Sequence, residues 1–164
     1  MKSFINIALI SYLIFDLSIT YAQNRKFGIG FIVGEPTGIS SKYWTSNANA
    51  LAFGLGWSID DYRIYGYNPD YHNASRLQLH VDYLWHSFRA IKSNGEFPLF
   101  YGLGGRINSG PAYSASFGVR GIFGIAWSPR SAPIDVYFEA VPTLFLITST
   151  GFGIDAALGA RYYF

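Results

Sequence analysis

Residues 153–164 read GIDAALGARYYF, and the fold turns on how that stretch alternates. Ile154, Ala156, Leu158, Ala160, Tyr162 and Phe164 share one parity, while Asp155, Gly159 and Arg161 fall on the other. Successive side chains of a strand project to opposite faces, so this segment has one apolar face and one small or charged face. The apolar set continues to Phe164, where a soluble domain ordinarily frays into polar residues. The rest of the chain has to explain what covers that aromatic end.

The same period of two recurs upstream. Phe27, Ile29, Phe31 and Val33 alternate with Gly28, Gly30, Ile32 and Gly34. Ile39 and Tyr43 oppose Ser40, Lys42 and Trp44, and Leu51, Phe53, Leu55 and Trp57 oppose Ala52, Gly54 and Gly56. Leu77, Leu79, Val81, Tyr83 and Trp85 oppose Arg76, Gln78, His80, Asp82 and His86. Leu99, Tyr101 and Leu103 oppose Gly102, Gly104 and Arg106. Phe117, Val119, Phe123, Ile125 and Trp127 oppose Gly118, Arg120, Gly124 and Ala126. Ile134, Val136, Phe138 and Ala140 oppose Asp135, Tyr137 and Glu139. With the final segment this gives eight strand candidates and no helical period after the first residues, which predicts an all-β, eight-stranded antiparallel up-and-down barrel.

The first residues differ. Lys2 precedes an apolar run from Phe4 to Phe15, and Thr20-Tyr21-Ala22 resembles a small-residue cleavage site. This pattern predicts a signal peptide over 1–22 and a barrel domain over 23–164. Only 13% of residues are charged, about half the share usual in a soluble domain. A net charge of +2 is too slight to point to nucleic acid, and the absence of cysteine excludes disulfides and thiolate metal sites.

The faces decide which side of the barrel is which. One carries Leu, Ile, Val, Phe, Tyr and Trp; the other carries Gly, Ala, Ser and charge. Glycine covers little surface and weakens strands, so it suits a crowded interior better than a solvated exterior. Bulky residues facing lipid and small or charged residues filling a narrow interior fit the pattern of a transmembrane barrel. The strand candidates contain Lys42, Arg76, Asp82, Arg106, Arg120, Asp135, Glu139, Asp155 and Arg161, and all fall on the small-residue face. Five cations against four anions suggest a paired interior network that includes His80, rather than the single-sign rings of a selective channel.

The alternating terminal segment ending in Phe164 resembles the C-terminal assembly signal of bacterial outer-membrane barrels, with Tyr162 and Phe164 at its signature positions. In size and strand number the chain is similar to the small eight-stranded class of OmpX-type and OmpA-type barrels. GEPTGISSKYW (34–44) and GIDAALGARYYF resemble segments of a poorly characterised group of small outer-membrane barrel proteins. The resemblance implies a Gram-negative cell envelope, outer-membrane lipids as surroundings and the barrel-assembly machinery as a partner during biogenesis. It implies little about activity.

Other motifs weigh less. GIGFIVG (28–34) brushes a dinucleotide fingerprint, but no helix follows to hold a phosphate. NAS (73–75) matches a glycosylation acceptor and reads better as a polar strand start. His80 and Asp82 share a face one step apart, without a matched nucleophile. No metal-ligand spacing occurs, and no cofactor, catalytic or metal residue is assigned. Outside loops are expected at 35–37, 59–74, 108–115 and about 146–152, and inside turns at 46–49, 87–96 and 128–133. Residues 59–74 carry Tyr62, Tyr65, Tyr67 and Tyr71, suited either to an extracellular partner or to an interfacial girdle. The expected role is structural or surface contact. Two others stay open: a lipid-modifying enzyme or protease with a rim site at Asp60, Asp61, Asp70 and His72, and a narrow pore.

Overall fold

The computed structural model describes residues 25–58, 76–91, 97–110, 113–147 and 150–164. The alternating segments form strands β1 (Phe27–Gly34), β2 (Thr37–Trp44), β3 (Asn49–Ser58), β4 (Arg76–Ser87), β5 (Leu99–Gly110), β6 (Tyr113–Trp127), β7 (Ile134–Ile147) and β8 (Gly151–Tyr163). Each pairs antiparallel with its sequence neighbours, and β8 pairs with β1 to close an up-and-down barrel. Closure leaves no continuous open edge, which is how an all-β chain satisfies its backbone groups without another layer. The expected signal peptide, the tyrosines and acids of 59–74 and NAS all lie outside the described residues.

Register follows the parity of the sequence. Phe27, Ile29, Phe31 and Val33 face outward, whereas Ile32 faces inward and is buried. Phe31, Leu103, Phe123, Ile154 and Phe164 are among the large apolar side chains most exposed on the outer wall. Among the described strand residues, no Asp, Glu, Lys or Arg occupies an outward position. The start of β1 and the end of β8 share one end of the barrel, here the terminal rim, with the connections from β2 to β3, β4 to β5 and β6 to β7. The other connections lie at the opposite rim. There Gly34 turns the chain with a φ of 123°, a left-handed conformation that glycine adopts without cost.

Three expectations need correction. The outside connections at 108–115 and 146–152 are mostly strand: β5 runs to Gly110, β6 starts at Tyr113, and β7 continues through Pro142 to Ile147. Proline signals an interruption in sequence, but here it occupies an outward position, opposite Ile154, and the β7–β8 ladder continues past it. A register shift in β6–β7 between Phe117 and Gly118 absorbs one extra β7 residue. The third correction concerns the interior, which is not only small and charged. Ile32, Leu84, Phe100, Ile122, Tyr137, Val141 and Phe145 are buried there.

The glycines make room for these large side chains. Gly28, Gly54, Gly104, Gly124 and Gly159 pair directly across strands with Tyr163, His80, Asp82, Phe100 and Tyr137, respectively. A Cβ built at any of the five would fall on the partner's side chain. Each large interior group therefore lies flat over a neighbouring glycine. A narrow barrel is filled to native density in this way, whereas upright side chains would collide near the axis.

Candidate functional site

The candidate site lies in the interior, where most of the buried polar and charged side chains meet. Nearest the terminal rim, β2, β7 and β8 bring Lys42, Asp135, Arg161 and Tyr163 together. Lys42 Nζ donates to Asp135 Oδ2 at 3.0 Å, and Arg161 Nη1 lies 3.6 Å from the same oxygen. Tyr163 Oη donates to it at 2.6 Å. One carboxylate thus gathers two cations and a phenol. Ser40 Oγ accepts from Tyr137 Oη at 2.9 Å and from Arg161 Nε at 3.0 Å. The Arg161 guanidinium also stacks over the Tyr137 ring, 3.8 Å from its centroid, which replaces some of the hydration it gives up.

A second cluster joins β4, β6 and β7. Arg120 Nε is 3.2 Å from Asp82 Oδ1, and Arg120 Nη2 is 3.4 Å from Glu139 Oε1. The Arg120 side chain is only 1% exposed; its Nη2 hydrogen-bonds Glu139, while Nε faces Asp82 Oδ1 as a charge contact without a hydrogen bond. His80 Nε2 stands 3.8 Å from Asp82 Oδ2, beyond hydrogen-bond reach, and Gln78 Nε2 lies 3.5 Å from His80 Nδ1. Both His80 and Asp82 are withdrawn from solvent. Toward the opposite rim, Arg106 Nη1 pairs with Asp155, and its guanidinium lies 4.8 Å from the Phe145 ring centroid.

Aromatic rings gather in the lumen beside the first cluster. Trp44 packs on His86 at 4.4 Å and on Phe88 at 6.2 Å between centroids. His86 reaches Phe100 at 5.6 Å, and Phe100 meets Tyr137 edge-on at 6.4 Å. Lys42 Nζ sits 4.4 Å above Trp44. Trp44 is therefore an inward residue of this group and not part of an outer girdle, as its parity with Lys42 requires.

The structure places Lys42, Asp82, Arg106, Arg120, Asp135, Glu139, Asp155 and Arg161 in these pairs, and His80 beside Asp82. Arg76 lies half-buried at the start of β4, next to the opposite rim. Tyr162 and Phe164 lie outside, their rings 5.0 Å apart and T-shaped. Sequence reasoning left Ser40, Tyr137 and Tyr163 out of the network. Their parity with Lys42, Asp135 and Arg161 was the available signal, because a hydroxyl on the charged face of a narrow barrel needs a partner. No cluster of three or more His, Asp or Glu side chains suited to a metal occurs among the described residues. No family model, curated protein or solved structure matches the chain.

Proposed function

We propose that the chain is a bacterial outer-membrane barrel, non-enzymatic and non-conducting, that serves as an envelope anchor and displays the β3–β4 connection at the cell surface. The observation that carries this reading is the outer wall. It is apolar around the whole circumference, from Phe31 and Ile39 through Leu79, Leu103 and Phe123 to Phe138 and Leu158. A monomer in water rarely exposes an apolar patch beyond a few hundred Å². In a bilayer the same wall is the favourable surface, whereas a cation there costs about 2–4 kcal/mol at mid-depth.

Strand length agrees. About 9–11 residues of tilted strand cross a bilayer core, and β3 to β8 have 10 to 15. β1 and β2 have 8 each and are the shortest part of the wall, a height that suits the thin bacterial outer membrane. The role inside the wall is structural, because buried cations and carboxylates neutralise each other in packed clusters. The lumenal aromatic rings and the buried Arg120, Tyr137 and Gln78 side chains support a lumen without a water column.

Native-level expression followed by membrane fractionation tests the reading. The folded chain is expected in the outer-membrane fraction, with faster gel mobility before boiling than after. Recovery of a folded chain from the soluble fraction would overturn it.

A further inference from the structure

The terminal rim is basic, whereas the opposite rim is not. At the terminal rim stand Arg25 and Lys26 before β1, Arg89 after β4 and Arg130 between β6 and β7. Lys26, Arg89 and Arg130 are exposed, and Arg25 is half-buried, donating from Nη1 to Tyr163 O at 3.1 Å. No Asp or Glu occurs among the described residues of this rim. In sequence, 92–96 adds Lys92 and Glu96, which cancel. The opposite rim holds Glu35 and Arg76, and the sequence joining β3 to β4 carries Asp60, Asp61 and Asp70 against Arg63.

A second asymmetry follows the first. Outward Tyr43, Trp85, Tyr101, Trp127 and Tyr162 all lie within three residues of the terminal-rim ends of their strands. At the other rim, Trp57 is the one outward Tyr or Trp among residues with described side chains. Indole and phenol rings settle at headgroup depth, with the apolar body in the acyl region and the polar tip in water. The cations sit one to three residues beyond strand ends, which places them at the level of lipid phosphates.

Building on the membrane reading, we propose that the terminal rim is a docking ring for the phosphate headgroups of anionic phospholipids in the leaflet it faces. The distribution selects a leaflet over a discrete partner. The cations stand on three sides of the circumference, which matches a plane of headgroups surrounding the barrel. A nucleic acid or an acidic protein would be met by a one-sided patch or groove, and the aromatic collar points sideways into the bilayer, not along the axis toward a soluble partner. Anionic lipids attract basic residues at the surface, and the attraction is screened by salt.

The test uses the mature chain with Trp57→Phe, so that Trp85 and Trp127 report on lipid at the terminal rim while Trp44 points into the lumen. The chain is folded into vesicles of phosphatidylcholine, with or without phosphatidylglycerol, and folding is read separately by heat-modifiable mobility. Brominated phosphatidylglycerol is then compared with brominated phosphatidylcholine, at equal mole fraction, as a quencher of tryptophan fluorescence. At low ionic strength the anionic lipid is expected to be preferred about two- to fourfold, and ~0.5 M salt is expected to remove most of that preference. Arg25→Gln, Lys26→Gln, Arg89→Gln and Arg130→Gln together are expected to abolish it with folding intact. If that variant folds poorly, Lys26→Gln with Arg89→Gln is expected to lose about half of the preference. Equal quenching by both lipids in the folded protein, or a preference that survives the substitutions, overturns the docking ring alone. Failure to fold in any vesicle overturns the membrane reading as well.

Discussion

Asp135 carries more of the interior than any other single carboxylate. Its Oδ2 holds Lys42 and Tyr163 by hydrogen bonds and stands within ion-pair range of Arg161. Glu139 has a smaller share, since Arg120 also faces Asp82. Removing one partner of a buried pair leaves the other charge without water or counter-ion, which costs about 3–5 kcal/mol. Asp135→Ala is therefore expected to lower unfolding stability in lipid vesicles by about that amount. Glu139→Ala is expected to cost less, about 1–3 kcal/mol, because Arg120 keeps one carboxylate. Urea titration followed by tryptophan fluorescence gives both values, and an equal or reversed ranking would remove Asp135 from the centre of the network. The residues of these clusters were recognisable from parity alone, but their pairing was not. Lys42 and Asp135 lie 93 residues apart and meet only because β8 closes onto β1, between β2 and β7.

β4 shows most clearly how an element divides its two faces. Leu77, Leu79 and Val81 are exposed outward, while Gln78, His80 and Asp82 are buried inward. The alternation in sequence was sufficient to assign these faces, because a shift of one residue would exchange them completely. Leu79→Arg places a cation on the outer wall near mid-height and is expected to reduce the yield of folded protein in lipid vesicles sharply. Leu79→Phe is expected to fold normally, since it preserves the apolar surface. Equal yields from both variants would show that the exposed face of β4 does not meet lipid. Other elements were harder to read. β7 extends six residues beyond the alternation of 134–141 because its ladder with β8 runs through Pro142, while its pairing with β6 skips from Thr143 to Ala140 and so does not call on the missing donor. The inward aromatics of β5 and β8 were hidden for another reason. Phe100 and Tyr163 look like misplaced outward residues until the glycine opposite each one is identified in the neighbouring strand.

At the scale of the molecule, closure, charge burial and the apolar exterior depend on one another. A closed ring of eight strands gives the charged faces a common interior, and the narrow interior forces cations and carboxylates into contact. The exterior then carries no charge along the described strands, and the two rims differ in charge and in aromatic content. What touches the outer wall decides whether the barrel spans a membrane, and β4 permits a direct measurement. The chain lacks cysteine, so single spin labels can be placed at Leu77→Cys, Leu79→Cys, Val81→Cys and Tyr83→Cys without a background site. With the protein folded in lipid vesicles, collision of each label with oxygen, which concentrates in lipid, is compared with collision with a water-soluble nickel chelate. Oxygen contact is expected to exceed nickel contact at every site, most strongly at 79 and 81. Nickel contact exceeding oxygen contact at 79 and 81 would mean that the apolar wall faces water, and would contradict the membrane-spanning barrel.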